Sequence, residues 1–139
     1  VEKHGKPLYA QVKDTIDDRK TFFVYGGTDT SERENIRGVV ENEKKSIILA
    51  SYGTFSTGIN IRNINNIVFS SPSKSRIRVL QSLGRGLRKT DTKVSVLIFD
   101  IADDMSHNDK RNFTLNHFSE RISLYNEQQF DYQISKVNL

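Results

Sequence analysis

The segment QSLGRGLRK, residues 81–89, concentrates basic side chains that could bind a phosphate. With the residues before it, the segment places Arg78, Gln81, Arg85 and Arg88 at intervals of three, four and three. On a helix these four side chains would share one face. A guanidinium group presents a rigid, permanently charged fork of donors that suits phosphate. A row of like charges repels itself unless an anion balances it. The alternative is a solvated basic face that ends at a glycine C-cap, and spacing alone leaves both interpretations open.

A second segment, ASYGTFSTGIN (residues 50–60), could hold phosphate oxygens without positive charge. Its hydroxyl groups and the N–H groups that its glycines leave accessible are the donors that such contacts use. The same composition is typical of a polar turn, and residue types alone favour the turn.

The acidic and histidine side chains show no pattern typical of a metal site. The run VLIFD ends in Asp100 and is similar to the magnesium-holding strand of phosphate-loop enzymes, but the sequence has no GxxxxGKS or GxxxxGKT segment. We therefore interpret Asp100, Asp103 and Asp104 as strand-end and helix-capping acids. The three histidines lack ligand spacing, so no metal site is predicted.

Four short apolar runs predict the strands of a sheet. They are bounded by glycine, proline or polar residues, and they begin at Lys20, Ser46, Asn66 and Lys93. Because helical patterns separate the runs, the sequence predicts an α/β fold, with a parallel sheet and helices on both faces. Ligands of such sheets bind beyond the carboxyl ends of the strands, so the loops after residues 51, 71 and 100 are the candidate positions.

Helical patterns lie between these runs and at both ends of the chain. Residues 1–18 carry apolar side chains at four-residue spacing, and a capping pattern at Asp29 predicts the start of the next helix. The helix that carries the arginines has two cap candidates, Ser73 and Ser75, and its predicted apolar face consists of Ile77, Leu80 and either Leu83 or Gly84. The C-terminal stretch predicts one or two further amphipathic helices.

Composition sets broad limits on the protein. Its 139 residues suit one domain with an ordinary core, and the formal net charge of +4 permits a polyanionic partner without indicating one by itself. The absence of cysteine excludes disulfides and thiolate metal sites. No apolar run is long enough to span a membrane, so we expect no membrane partner and a cytoplasmic protein.

Taken in order, the two polar segments resemble a known pair of motifs. ILASYGTFSTGINI resembles motif V of the superfamily 2 helicases, and QSLGRGLR resembles motif VI, both in the second RecA-like lobe. The preceding YGGTDTSERENIR is similar to the glycine turn and following helix of that lobe. Within the superfamily, the chain resembles the UvsW-type DNA helicases of T4-like phages. The resemblance implies a RecA-like lobe over residues 1–104, with its first strand truncated, and a C-terminal helical extension over residues 105–139.

The resemblance also implies catalytic roles for the residues of motif VI. Arg85 and Arg88 match two arginines that reach across the cleft between the lobes to the γ-phosphate of a bound nucleotide. Gly84 and Gly86 would then allow close approach of the other lobe. Gln81 matches the residue that opens the motif and helps to link nucleotide to nucleic acid.

Further binding residues follow from motif V and the glycine turn. Gly58 and Asn60 match positions near the ribose of the nucleotide, although the family often has an aspartate where this chain has Asn60. Contacts to a nucleic-acid strand are expected to read its shape and charge rather than its base sequence. Five residues match positions that would hold the phosphates of that strand through hydroxyl or backbone groups: Ser51, Gly53, Thr54, Gly26 and Gly27.

For the whole enzyme, the resemblance implies ATP with Mg²⁺ as cofactor. The metal would be held by an N-terminal RecA-like lobe that carries the phosphate loop and the DExH box. Neither motif occurs in these 139 residues, so we expect the chain to be part of a longer enzyme and inactive alone. The expected partner is DNA, branched or single-stranded, during replication, recombination or repair in a bacterial or phage-infected cell.

Other functions remain open at this point. The chain could be a stand-alone nucleic-acid-binding module without ATPase activity. It could belong to another superfamily 2 motor, such as a restriction translocase or an RNA helicase. A phosphate-binding regulator with a doubly wound sheet is a third alternative.

Overall fold

Strands and helices alternate along the chain, as the sequence predicts. A computed structural model describes residues 2–58, 61–71, 73, 75–87, 95–106 and 112–138. The elements run in the order α1 (Glu2–Thr15), β1 (Lys20–Val24), α2 (Thr30–Asn42), β2 (Ser46–Ala50), α3 (Tyr52–Gly58), β3 (Asn66–Phe69), α4 (Arg76–Gly86), β4 (Leu97–Asp100) and α5 (Phe113–Glu127).

The strands pair in parallel, which confirms the predicted α/β fold. β1 pairs with β2 so that Val24 lies opposite Ala50, and β3 pairs with β4 so that Phe69 lies opposite Asp100. Within the described ranges, the ladder hydrogen bonds form these two pairs rather than one continuous sheet. In each pair both strands end at the same edge, so the segments that follow them leave side by side.

Two hydrophobic cores hold these pairs to their helices. The first core contains Val24 of β1 with Ile36 and Val40 of α2. The second core contains residues of β3, α4 and α5: Ile67, Phe69, Val79, Leu83, Leu124 and Tyr125. The half-buried Ile64, in the segment before β3, packs against both cores.

The C-terminal helix α5 is part of this packing. Its residues Leu124 and Tyr125 are buried in the second core, and Ile122 packs against that core. The sequence left open whether the C-terminal region packs on the lobe, and the structure shows that α5 does. None of the helices in the part of the chain that the structure describes is long and apolar enough to cross a membrane.

Side-chain caps begin two of the helices where the sequence predicts them. The Asp29 carboxylate accepts a hydrogen bond from the Ser31 N–H at 2.9 Å, and this bond holds the pKa of Asp29 below its ordinary value. The Ser75 hydroxyl accepts from the Arg78 N–H at 3.5 Å at the start of α4. Both caps satisfy an N–H group that has no partner within its helix.

The apolar face of α4 agrees with the prediction in part. Leu83 is buried and Leu80 packs against the second core, as predicted, but Ile77 is 68% exposed, and Val79 and Gly86 are buried instead. The reason is rotational: residues 79, 83 and 86 recur at four and three positions and define one stripe, and Ile77 falls on the opposite side of the helix.

The surroundings of Gly86 contradict the expectation that this glycine allows close approach of another lobe. A Cβ at Gly86 would stand 2.6 Å from Ile67 Cδ1 and 3.3 Å from Val96 Cγ2. Gly86 therefore lets α4 approach β3 and the segment before β4 in the same chain, rather than another lobe. At Gly84 a Cβ would have no neighbouring atom within 4 Å, so that position is open.

These two glycines predict opposite effects of alanine on stability. Gly86→Ala should lower the free energy of unfolding by about 1–2 kcal/mol, because the new methyl group must displace Ile67 in a packed core. Gly84→Ala should raise it by up to about 1 kcal/mol, because alanine is the better helix former in open space. Urea unfolding of the two variants measures both changes, and equal effects would contradict the packing described for Gly86.

Candidate nucleotide and nucleic-acid site

The glycine turn after β1 is closed by hydrogen bonds on its inner side. The Thr28 hydroxyl accepts from the Tyr25 N–H at 3.0 Å, and the Thr28 N–H donates to the Tyr25 carbonyl at 3.0 Å. Thr28 is buried, whereas Gly26 and Gly27 are exposed. A Cβ at Gly27 would lie 2.7 Å from the Tyr25 ring, so any side chain there would have to displace the ring.

Arg33 of α2 fixes the orientation of this turn. Its guanidinium Nη2 donates to the carbonyl of Tyr25 at 3.2 Å and to the carbonyl of Gly26 at 3.1 Å. In a planar trans peptide the N–H points opposite to the carbonyl. The N–H groups of Gly26 and Gly27 therefore point away from Arg33, on the exposed side of the turn.

The loop after β2 begins beside this turn. The Ser51 N–H donates to the carbonyl of Val24 at 3.2 Å, which extends the β1–β2 ladder to the first residue of the loop. The structure thus brings together the two segments predicted to contact a nucleic-acid strand, residues 26–27 and residues 51–54. They lie at one edge because parallel strands end together.

The hydroxyl groups of Ser51 and Thr54 bind each other. Their oxygens are 2.8 Å apart, and the Thr54 N–H lies 3.3 Å from Ser51 Oγ. Thr54 is only 5% exposed and Ser51 is half-buried, whereas Gly53 is exposed. The two hydroxyls therefore hold the start of α3, and the exposed part of this segment is the backbone at Gly53.

The predicted arginine face is present on α4. Arg78 and Gln81 are exposed, and Arg85 lies half-buried in the last turn of the helix, on the side opposite to Val79 and Leu83. The predicted ribose residue Gly58 ends α3. Two predicted site residues, Asn60 and Arg88, lie outside the described residues.

Helix α3 packs on α4. This packing connects the segment predicted to contact a nucleic-acid strand to the helix that bears the arginines. Tyr52 of α3 stacks on Phe69 with ring centroids 5.7 Å apart, and its hydroxyl donates to the carbonyl of Ser71 at 3.0 Å. Burial raises the pKa of Tyr52 to about 12, so the phenol stays a donor at neutral pH. Tyr52 and Phe55 both pack against the second core, which contains Val79 of α4.

The sequence did not single out Arg33 or Tyr52. Arg33 stands one turn after the Asp29 cap, where an arginine is ordinary, and its targets are backbone carbonyls that leave no trace in the sequence. Tyr52 carries a weak signal, since it is an aromatic residue placed directly before a run of small polar ones.

The acidic residues after β4 have structural partners. Asp100 ends β4, as expected, but it caps no helix; both of its carboxylate oxygens accept hydrogen bonds from Arg121 at 2.7 Å. The Asp104 carboxylate accepts from the Ser106 N–H at 3.1 Å, and the Asp103 carbonyl accepts from side chains at the start of α5. Within the described ranges, no group of three acidic or histidine residues could hold a metal ion.

Known proteins similar to this chain are helicases and a related ATPase. Residues 6–90 match the family described as the helicase conserved C-terminal domain. Over 98% of its length the chain is 38% identical to the ATP-dependent DNA helicase uvsW of Enterobacteria phage T4, of which it covers 29%. The crystal structure of the C-terminal part of the Fun30 ATPase domain shares the fold, with a TM-score of 0.59 at 16% identity over 88% of this chain and 45% of that one. The chain therefore spans less than a third of the first protein and less than half of the second.

Replacing Arg33 tests its role in the glycine turn. Lysine keeps the charge but lacks the planar guanidinium group whose Nη2 is directed at both carbonyls. In Arg33→Lys we expect the Thr28 amide, which closes the turn, to exchange its hydrogen about tenfold faster, the effect of roughly one hydrogen bond. Arg37→Lys is the matched control, because Arg37 lies on the same helix and its ion pair is with Glu34. Equal exchange rates in both variants would show that Arg33 does not hold the turn.

Proposed function

The chain belongs to the family of helicase conserved C-terminal domains, and from this membership we propose that it forms the second RecA-like lobe of an ATP-dependent DNA helicase. In this proposal the lobe supplies arginines to a nucleotide bound at the cleft and backbone donors to a DNA strand. The named DNA helicase among its relatives favours DNA over RNA as the nucleic acid.

The contact between α3 and α4 carries this proposal. α3 contains Gly53 and Thr54 and follows Ser51, three residues expected to contact a DNA strand. α4 bears the arginine face. Because Tyr52, Phe55 and Val79 share one core, a displacement of one helix is transmitted to the other. This is the connection that a motor needs between its DNA contacts and its nucleotide contacts.

On the nucleotide side, the donor set suits a triphosphate. Arg85 and Arg88 would provide permanently charged donors to the γ-phosphate, where negative charge is redistributed during hydrolysis. Gln81 is exposed on the same face as Arg85 and would link this group to the DNA site. Gly58 and Asn60 would lie near the ribose, where the amide of Asn60 can hydrogen-bond a hydroxyl. The open space around Gly84 leaves room for an opposing lobe.

On the DNA side, neutral backbone donors would bind the strand. The exposed N–H groups of Gly26 and Gly27 lie beside Ser51 and the first turn of α3, which contains Gly53, and such groups can bind phosphate oxygens. Thr54 would act indirectly, because its buried hydroxyl binds Ser51 and so fixes the loop. Contacts of this kind recognise the sugar-phosphate backbone, which suits a motor that moves along any sequence.

In the proposed mechanism, an N-terminal RecA-like lobe of the same protein binds ATP with Mg²⁺ through its phosphate loop and DExH box. Closure of the two lobes brings Arg85 and Arg88 to the γ-phosphate, and hydrolysis releases them. The packing of α3 on α4 transmits this cycle to the loop at Ser51, which shifts its hold on the strand. Branched DNA, as at replication forks and recombination or repair intermediates, is the proposed substrate.

ATP hydrolysis by the full-length protein tests the nucleotide role. We expect DNA to stimulate hydrolysis, and Arg85→Ala and Arg88→Ala each to lower kcat by about 10²- to 10³-fold while ATP still binds, because the arginines act on charge in the transition state. Arg78→Ala is the matched control: it removes an exposed arginine from the same face, two turns earlier than Arg85, and should keep kcat within about twofold.

The same assay separates the alternative functions. If the full-length protein binds DNA but hydrolyses no ATP, it is a binding module rather than a motor. If RNA stimulates hydrolysis as strongly as DNA, the protein is an RNA-directed or unselective motor. Retention of full kcat in both arginine variants would contradict the role proposed for α4.

A pair of substitutions at Gly26 tests the backbone contact with DNA. Gly26→Ala keeps the N–H and meets no atom within 4 Å, so DNA affinity should stay unchanged. Gly26→Pro removes the N–H, and DNA affinity should fall about tenfold, as expected for a lost hydrogen bond to a charged phosphate. Fluorescence anisotropy with single-stranded DNA at fixed salt measures both, and equal affinities would exclude this N–H as a contact.

A further inference from the structure

An ion pair joins the first residue of α4 to the last residue of α5. Arg76 Nη1 donates to Glu127 Oε1 at 3.0 Å, and Arg76 Nη2 donates to Glu127 Oε2. The pair is bidentate, the geometry in which guanidinium binds carboxylate most strongly. The hydrogen bonds from Arg76 hold the pKa of Glu127 below its ordinary value, so the pair is charged at neutral pH.

A second connection lies in the interior, at Arg121 of α5. This side chain is 2% exposed, and its guanidinium binds both oxygens of Asp100 at 2.7 Å. Burial alone would lower the pKa of Arg121, but the bonds and charge of Asp100 outweigh it and raise the pKa. Arg121 Nη1 lies 3.3 Å from the carbonyl of Ser73, in the segment just before α4.

The segment that leads into α4 is thus held from two sides. The Tyr52 hydroxyl of α3 binds the carbonyl of Ser71, and Arg121 of α5 binds the carbonyl of Ser73. The Asp100 carboxylate, which orients Arg121, also accepts from the Tyr125 hydroxyl at 2.7 Å. One buried guanidinium therefore joins the end of β4, helix α5 and the approach to α4.

We propose that α5 is a clamp that sets the angle of α4. In this role, Arg121 and Glu127 are positioning residues for Arg85, at the far end of α4. The inference rests on the proposed function, because it assigns this angle a role in ATP hydrolysis. Arg85 lies nine residues after Arg76, about 13 Å along the helix axis. A tilt of about 5° at the start of α4 would move Arg85 by about 1 Å, and misplacement of that size can cost up to about a hundredfold in rate.

A role in stability alone does not account for this arrangement. An exposed ion pair contributes little to stability, and a buried one is frequently no better than apolar side chains of similar volume. Both pairs instead impose direction, since a bidentate guanidinium binds its carboxylate in one plane. The Arg76–Glu127 pair acts on the first residue of α4, and Arg121, oriented by Asp100, acts on the segment before it through the Ser73 carbonyl. Together these contacts constrain the orientation of α4.

Charge reversal at the exposed pair tests the clamp in the full-length protein. Glu127→Arg and Arg76→Glu should each lower kcat for DNA-stimulated ATP hydrolysis about tenfold, with KM for ATP and DNA affinity unchanged. The double variant, which restores the pair in reverse, should recover kcat to within about twofold of the parent. The matched control is Lys45→Glu, which breaks an equally exposed ion pair with Asp18, 3.0 Å long and far from α4 in the chain, and should leave kcat unchanged.

Hydrogen exchange of the same variants provides a readout that does not depend on catalysis. Peptides covering residues 76–87 should exchange faster in both single variants and return to the parental rate in the double variant. Arg121→Lys, which cannot form the planar fork, should raise exchange in the same peptides while those of β1 and β2 stay unchanged.

The outcomes distinguish the clamp from the proposed function. If the single variants keep parental kcat and parental exchange in residues 76–87, the clamp is wrong. A loss of kcat that the double variant fails to recover, without faster exchange, also overturns it. If the parent hydrolyses no ATP, the proposed function is wrong, and the exchange measurements still decide whether α5 sets the orientation of α4.

Discussion

The candidate nucleic-acid-binding site depends on one constraint, the parallel pairing of β1 with β2. It ends both strands at one edge, and the bond from Ser51 N–H to the Val24 carbonyl carries the pairing one residue further. The glycine turn and the start of α3 are thereby adjacent although Ser51 stands 24 positions after Gly27 in the chain. Each segment is then shaped locally, the turn by Arg33 and the start of α3 by the bond between Ser51 and Thr54.

In the second half of the molecule a buried charge acts together with the β3–β4 ladder. A guanidinium in the interior is unfavourable unless a carboxylate and further acceptors compensate it. Arg121 has both oxygens of Asp100 and the Ser73 carbonyl, and the Tyr125 hydroxyl completes the group. Removal of any charged member leaves another without its counter-ion, so β4, α5 and the approach to α4 hold one arrangement relative to each other.

Local features could be predicted from the sequence, and ion pairs between distant side chains could not. The strand runs, the caps at Asp29 and Ser75, and the face shared by Arg78, Gln81 and Arg85 follow from neighbours within a few residues. The pairing of Asp100 with Arg121 spans 21 residues, and that of Arg76 with Glu127 spans 51. Gly86 illustrates the difference: the resemblance to motif VI implied contact with another lobe, but the neighbour of Gly86 is Ile67, which only the folded chain brings close. The roles of Arg85, Arg88, Gly58 and Asn60 stay predictions.

The division of the interior into two cores bears on how the molecule loses structure. Side chains of β1 and α2 pack around Val24, and those of β3, α4 and α5 pack around Val79, with Ile64 in contact with both. Cooperative units within a domain follow such contiguous packing, and each unit opens with its own free energy. The boundary at Ile64 separates the glycine turn from the arginine helix. Among the described residues, the glycine turn and the arginine helix therefore belong to different packing units, which are coupled through Ile64 and through the packing of α3 on α4.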